Sequence, residues 1–322
     1  MSAIGSAYKP CRAEPVAVRV VCVGHCAMDA VYRLEALPRG GGKYLAQGFA
    51  STGGGPAATA AVTVAGLGYG ARFIGRVGED ASGASLLAGL ADRGVDVGWV
   101  RRVPGARSSC SAVLLDAAGE RIIVNFCDPR LPGEAGWITA EVLEGADAVL
   151  ADVRWMEGAV RALELAAGMG IPSVLDADVT DACMADAAAL AGHVVFSRPG
   201  LCRFTGCADP EAGLRLAAAR TRGMVYVTLG EKGCLWLKKG ALCRLAAFSV
   251  AAVDTVGAGD VFHGAFAVAL TQGLAPRQVV AFASAAAALR CAGQGSWDTI
   301  PSMDAVLRFL QAREGTFFWP RP

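Results

Sequence analysis

From Ala148 to Leu229 the chain repeats one pattern: a short apolar run, a turn, and a helix-length segment. The runs Ala148–Asp152, Ser173–Asp176, His193–Phe196 and Met224–Leu229 carry apolar residues at successive positions. A strand that is apolar on both faces has to be covered on both faces. Parallel strands need long crossovers, and Met156–Ala167 and Glu211–Thr221 have the length and pattern of covering helices. The rhythm starts earlier, with strands at Val18–Gly24 and Arg72–Val77 and helices at Ala57–Leu67, opened by Gly53-Gly54-Gly55-Pro56, and Ala81–Arg93. It predicts an α/β fold with a mostly parallel central sheet between two helix layers. A late hairpin, Cys234–Leu237 with Leu242–Leu245, precedes helices at about Ala258–Gln272, Pro276–Cys291 and Ser302–Ala312.

Two stretches break the rhythm. Ala30–Glu35 and Tyr44–Ala50 flank Pro38-Arg39-Gly40-Gly41-Gly42, and Ser111–Leu115 and Arg121–Phe126 flank Asp116-Ala117-Ala118-Gly119. Both read as hairpins leaving the main sheet to form a small β lid. No linker splits the chain, so 1–322 reads as one domain with lid strands at about 30–50 and 110–126. Val18–Gly24 is followed by a turn that carries Asp29.

Composition narrows the function classes. With 54% hydrophobic and 18% charged residues the chain can build a large core, which excludes a mostly disordered protein. A formal net charge of +1 without a basic run argues against nucleic acid or membrane surfaces as partners. The eleven cysteines are odd in number and form no C-x-x-C pair, so they read as reduced, mostly buried thiols of a cytoplasmic protein. No metal site is expected from them, nor from His25, His193 and His263, which lack an i, i+4 pair. The first fifteen residues, ending in Pro15, read as a loose tail.

The segment with the most chemistry is Asp254-Thr255-Val256-Gly257-Ala258-Gly259-Asp260, followed by an apolar helix. Gly257, Ala258 and Gly259 leave backbone amides uncovered at a helix start, where amides and helix dipole favour an anion. Asp260 sits in the first turn, beside that anion hole. A carboxylate there can take the proton of an attacking hydroxyl while the amides stabilise a phosphoryl group in transfer. Taken alone, a glycine turn and a helix-capping acid would explain the same residues.

The complete string resembles the signature of the ribokinase-like, or PfkB, carbohydrate kinase family. Gly53-Gly54-Gly55-Pro56-Ala57-Ala58-Thr59-Ala60 resembles that family's glycine-glycine motif, and Gly75-Arg76-Val77-Gly78-Glu79-Asp80-Ala81-Ser82-Gly83 the segment after it. Thr228-Leu229-Gly230-Glu231-Lys232-Gly233 resembles its nucleotide loop. The likeness runs from about Val18 to Phe309 and implies a ribokinase-like three-layer sandwich, ATP as phosphoryl donor, Mg2+, and a sugar as acceptor. It implies Asp260 as the base, nucleotide contacts at Thr228, Gly230 and Gly233, and sugar contacts at Asp29, Gly54 and Gly55. It also implies a homodimer through the lid. No Walker A string is present, and no G-x-G-x-x-G follows the first strand.

The chain departs from the family pattern twice. Ala58 or Thr59 stands where an asparagine often contacts the sugar, and Ser197-Arg198-Pro199-Gly200 replaces an N-x-x-E segment. Within the family the chain is similar to the bacterial sulfofructose kinases, notably in Gly42-Lys43-Tyr44, Glu120–Asn125 and Leu150–Trp155. That likeness implies transfer to the C1 hydroxyl of 6-deoxy-6-sulfofructose, with Lys43, Asn125 and Arg154 holding the sulfonate; the alternatives are a family kinase for fructose, fructose 6-phosphate or 2-keto-3-deoxygluconate, and a member that binds sugar or nucleotide without turnover. A planar fork, a compact charge and a neutral donor suit a permanent anion with three acceptor oxygens. An edge lysine can equally be a solvated residue that blocks sheet pairing, and an arginine beside Trp155 can stack on it. Asp80 reads as a helix cap and His263 as a packed helix residue.

Overall fold

The structure is a computed structural model that describes residues 18–117, 119–295, 297–315 and 317–320. The amino-terminal tail and Cys11 lie outside the described residues.

The chain opens with β1 (Val18–Gly24), then β2 (Ala27–Arg33) and β3 (Gly48–Gly54). Helix α1 (Pro56–Gly66), β4 (Gly70–Gly78) and α2 (Ala81–Asp92) follow, then two short strands, β5 (Val95–Asp96) and β6 (Arg101–Val103). Next come β7 (Cys110–Leu115) and β8 (Arg121–Phe126), and the βα run: β9 (Ala148–Asp152), α3 (Met156–Met169), β10 (Ser173–Ala177), α4 (Ala185–Leu190), β11 (His193–Ser197), α5 (Arg198–Thr205) and α6 (Pro210–Ala218). The final elements are β12 (Met224–Thr228), β13 (Cys234–Lys238), β14 (Ala241–Leu245), α7 (Ala258–Thr271), α8 (Pro276–Ala292) and α9 (Met303–Glu314).

The large sheet runs β14-β13-β12-β11-β10-β9-β1-β4-β5, with β6 beside the far end of β4. Its pairs are parallel except β12–β13 and β13–β14. Each strand feeds two cores. Val20 and Cys22 of β1 pack with α1, α7 and α8, whereas Val21 and Val23 pack with the α3 side. The same alternation separates Leu150 from Val149 and Ala151, and Tyr226 from Val225 and Val227. Two covered faces explain why these strands read as continuous apolar runs.

A separate four-stranded sheet has the order β3-β2-β7-β8. Its register places Thr52, Asp29, Ser111 and Asn125 in one row. Residues directly opposite one another point to one face, so these four share a face.

Several sequence expectations need correction here. Asp29 lies within β2 rather than on a turn, because β2 begins at Ala27 and not at Ala30. β3 runs from Gly48 to Gly54 rather than from Tyr44 to Ala50, so Gly53 and Gly54 end a strand instead of opening a helix. Glycine is disfavoured in strands unless something approaches closely, and here something does. A Cβ on Gly53 would lie 2.2 Å from the Trp297 ring, and one on Gly54 would lie 2.1 Å from Asp29 Oδ2. Lys43 stands in the β2–β3 connection, outside both strands. The cysteines are not mostly buried: Cys22, Cys26 and Cys234 are, while Cys110, Cys127 and Cys183 are exposed. Burial follows the face a residue occupies, and cysteine spacing carries no information about that.

Candidate active site

The tip of α7 is shaped by the turn that enters it. Asp254 is buried, and its Oδ1 accepts the Val256 amide at 2.9 Å. Gly257 then takes φ 75°, a left-handed conformation that costs glycine nothing, and caps the helix without a side chain. Gly257 O accepts the Val261 amide at 2.9 Å, which starts the helical ladder. A Cβ on Gly259 would meet nothing within 4 Å, so a ligand can approach the first turn closely. Amides of a first turn have no intrahelical partner. The Ala258 amide is the exception, since it donates to Thr255 O at 3.3 Å. Of the three amides expected to cradle an anion, those of Gly257 and Gly259 are therefore more open than that of Ala258.

Asp260 projects from this first turn and is half-buried. Protein packs around its carboxyl, and that burial, with the nearby Asp176 charge adding to it, pushes its pKa up to about 8. His263, one turn further along α7, acts in the opposite sense. Burial lowers the His263 pKa, and its Nδ1 lies 3.3 Å from Asp176 Oδ2. His263 is thus the packed helix residue the sequence suggests. Asp176 sits beside Asp152 in the β10–β9 register, and burial raises it well above an ordinary carboxylate. Leu150 and Val174 belong to the α7-side core, so two residues further on Asp152 and Asp176 face α7 as well.

Asp152 organises the carboxyl ends of the strands. Its Oδ2 accepts the amides of His25 at 2.8 Å and Ala57 at 3.0 Å, and its Oδ1 accepts the Arg154 amide at 2.8 Å. One carboxylate ties the exit of β1, the start of α1 and the exit of β9. Gly24 leaves room for it, since a Cβ there would lie 2.2 Å from Oδ2. In the sequence Asp152 reads as a strand end; an acid closing an apolar strand at the ligand-facing edge of an open sheet is the signal that marks it.

Asp29 packs directly on Gly54, with no room there for a side chain, and Gly55 takes φ 96° against the His25 and Cys26 backbone. Burial raises the Asp29 pKa, while the Ser111 hydroxyl, hydrogen-bonded to it, opposes the shift. Asn125 is exposed in the same row. Arg121 of β8 donates from Nη1 to Thr255 Oγ1 at 2.9 Å, which joins the small sheet to the turn before α7. A cavity of about 420 Å3 is lined by Asp29, Thr52, Asp254, Val256, Arg290 and Gly295, among others.

Arg154 is exposed at the carboxyl end of β9 and donates from Nη2 to Asp178 Oδ2 at 2.8 Å. It does not stack on Trp155; Arg76 does, 4.4 Å from the ring centroid. Asp178 Oδ1 accepts the Ser197 hydroxyl at 2.7 Å, and Ser197 Oγ accepts the Gly200 amide at 3.0 Å as the cap of α5. The segment Ser197-Arg198-Pro199-Gly200 is therefore a capped helix start. Lys43 is exposed and makes no ion pair among the described residues. The structure brings Asp29, Gly54 and Asn125 onto one sheet and Arg154 to the carboxyl end of β9 in the other, and leaves Lys43 on the exposed connection.

The remaining positions form a turn after β12. Thr228 donates to Phe196 O at 3.3 Å, and Leu229 N to Gly233 O at 2.7 Å. Gly230 and Gly233 have positive φ, and a Cβ on Gly233 would lie 2.0 Å from Leu245 O. Gly233 thus has a packing reason to be glycine, whereas Gly230 faces open space. Asp80 caps α2 through the Gly83 amide at 2.8 Å, as its position suggests. Thr59, one of the two candidates for the sugar-contacting asparagine position, accepts the buried Trp297 indole N–H at 3.0 Å.

A sheet edge that gathers carboxylates beneath a glycine-lined helix tip is equipment for phosphoryl transfer to a hydroxyl. Residues 18–303 match the pfkB family carbohydrate kinases, and the chain belongs to that family. It is accordingly a sugar kinase, a phosphotransferase with an alcohol acceptor, of ribokinase-like fold. It is 27% identical over 297 residues to the ribokinase of Bacillus subtilis (strain 168), covering 91% of this chain and 100% of that one. It is 31% identical to the fructokinase of Klebsiella pneumoniae, covering 88% and 97%. The structure of Arabidopsis thaliana ribokinase complexed with ribose and ATP superposes with a TM-score of 0.82 at 27% identity, covering 92% and 99%. A ribokinase-type protein of Agrobacterium tumefaciens gives a TM-score of 0.87 at 36% identity, covering 93% and 99%.

Proposed function

We propose that the protein transfers the γ-phosphoryl group of ATP to the C1 hydroxyl of 6-deoxy-6-sulfofructose. The observation that carries the chemistry is Asp260 in the first turn of α7, beside the open amides of Gly257 and Gly259. The acceptor hydroxyl gives its proton to Asp260 as its oxygen bonds to the γ-phosphorus. The bond to the bridging oxygen breaks, and ADP leaves with that electron pair. Thr228, Gly230 and Gly233 border the nucleotide, and Gly230 has the open space for it. Mg2+ would ride on the ATP phosphates and keep water ligands, a mode that needs no dedicated protein cage. Asp29, Gly54 and Gly55 hold the sugar, and the small sheet acts as the lid of a single kinase domain.

The substrate reading rests on charge. Lys43 is exposed on the β2–β3 connection and Arg154 pairs with Asp178 at the end of β9, so closure of the small sheet would bring two positive charges and one negative charge to the sulfonate. That matches a singly charged sulfonate better than a doubly charged phosphate. Asn125 adds a neutral donor from the Asp29 row. The test is ADP release with sulfofructose, fructose, fructose 6-phosphate and 2-keto-3-deoxygluconate. Sulfofructose is expected to lead by at least about tenfold in kcat/KM; a lead for fructose or its phosphate would assign the site to that sugar instead.

The outer face of the small sheet is argued to meet a second copy of the chain. Phe49, Tyr32, Leu114 and Ile122 form one row, with Val124 and Phe126 on the same face. Phe49, Val124 and Phe126 are exposed, a contiguous apolar surface that monomers rarely leave bare. Phe49→Asp should convert a dimer into a monomer in sedimentation; an unchanged mass would remove this interface. Ten free cysteines among the described residues fit a reducing, cytoplasmic location, which cell fractionation checks.

A further inference from the structure

We propose that Arg290 is a fixed internal cation that positions the phosphate-cradling turn and acts on phosphoryl transfer through it. The role presupposes the cradle at Gly257 and Gly259 proposed above.

Arg290 lies in the last turn of α8 and is 1% exposed. A guanidinium is costly to bury unless its donors are satisfied and its charge is met. Here both conditions hold, and the partners belong to the ligand-facing turn. Nη1 donates to Asp254 O at 3.2 Å and to Gly293 O at 3.4 Å, and Nη2 donates to Asp254 Oδ2 at 3.2 Å. Asp254 Oδ2 also accepts the Gly295 amide at 3.3 Å, while its Oδ1 holds the Val256 amide. The Val253 and Asp254 amides donate in turn to Cys291 O, at 2.7 and 3.2 Å.

The end of α8, the Gly293–Gly295 segment and the entry to α7 are therefore clamped around one buried charge. Two residues separate Asp254 from Gly257, whose left-handed φ aims the α7 tip. Arg290 and Asp254 also line a cavity together with Asp29, Thr52 and Val256, so the clamp borders the space beside Asp29. An ordinary core ion pair could sit anywhere along α8. This one gathers two backbone carbonyls and a carboxylate of the loops that present the anion hole. Removing the charge leaves that oxygen cluster without its cation and frees the turn to shift, and a displacement of about 1 Å costs about a hundredfold in rate.

Arg290→Ala tests this by a route that a purely structural residue would not follow. The expected result is a kcat about a hundredfold below native with sugar affinity, measured by calorimetry, within about threefold. Guanidinium chloride at a few tens of millimolar, too dilute to unfold the protein, should enter the vacated space and restore at least about a tenth of the rate. Choline chloride at equal ionic strength should not. Arg290→Lys keeps a charge and should stay within about tenfold of native, which carries the test if the alanine variant does not fold. Three outcomes would overturn the inference. They are a kcat for Arg290→Ala close to native, an equal loss of sugar affinity, or a loss that neither guanidinium nor lysine relieves. If the native protein itself releases no ADP with any sugar, the cradle reading fails first, and the two failures stay distinct.

Discussion

Asp260→Asn is expected to release ADP at about a thousandth of the native rate or less, because a general base contributes about a hundred- to ten-thousandfold. Asparagine keeps the size and the hydrogen-bonding shape of the side chain but cannot accept the proton. Sugar binding should survive, since Asp29 and Gly54 are untouched. Native pH dependence should carry the same signature. With the carboxyl pushed up to about 8, kcat/KM should fall about tenfold per pH unit as pH drops below that value. Stability runs the other way. The folded state keeps a proton that the unfolded chain loses above its ordinary value of 3.8, so this residue penalises folding increasingly from about pH 4 to pH 8. The asparagine variant should therefore melt higher than native at pH 8, by roughly 1–3 kcal/mol in stability, with the gap closing towards pH 4. A variant with near-native turnover, or one less stable than native at pH 8, would remove Asp260 from its role.

Arg154→Ala should raise KM for sulfofructose about a hundredfold and leave KM for fructose within about twofold. The guanidinium is exposed at a strand end and, among the described residues, bonded to a single acid, Asp178. Its removal leaves the sugar ring's own contacts in place and takes away a charge that only a C6 anion uses. Asp178 would then stand beside the sulfonate without its counter-ion, which adds repulsion to the lost attraction. An equal loss with both sugars would mean that Arg154 shapes the site in general and does not read the sulfonate.

Much of this architecture is visible in the sequence because burial on two faces leaves a simple trace. β1, β8 and β9 carry the bounds that their residues suggest, and α7 and α8 end within a residue of expectation. The glycine-lined helix tip was legible for the same reason, since a turn that needs left-handed backbone advertises itself with glycine. What stayed hidden depends on partners distant in sequence. Gly53 looks like a helix-entry residue until Trp297 is seen packed against it. Asp152 is one acid among many until the His25 and Ala57 amides converge on it. Arg290 falls inside the expected helix Pro276–Cys291, and nothing nearby in the chain announces Asp254, 36 positions away, as its partner. Short strands such as β5 and β6 have too few residues to show a period.

The central claim is that the α7 tip holds the phosphoryl group in transfer while Asp260 takes the acceptor's proton. A crystal structure with the sugar and a non-hydrolysable ATP analogue tests it most directly. The terminal phosphate should accept from the amides of Gly257 and Gly259 at about 2.7–3.2 Å, with the C1 oxygen at about 2.6–3.2 Å from an Asp260 carboxylate oxygen. A terminal phosphate bound away from that tip, with no sugar oxygen beside Asp260, would contradict the account.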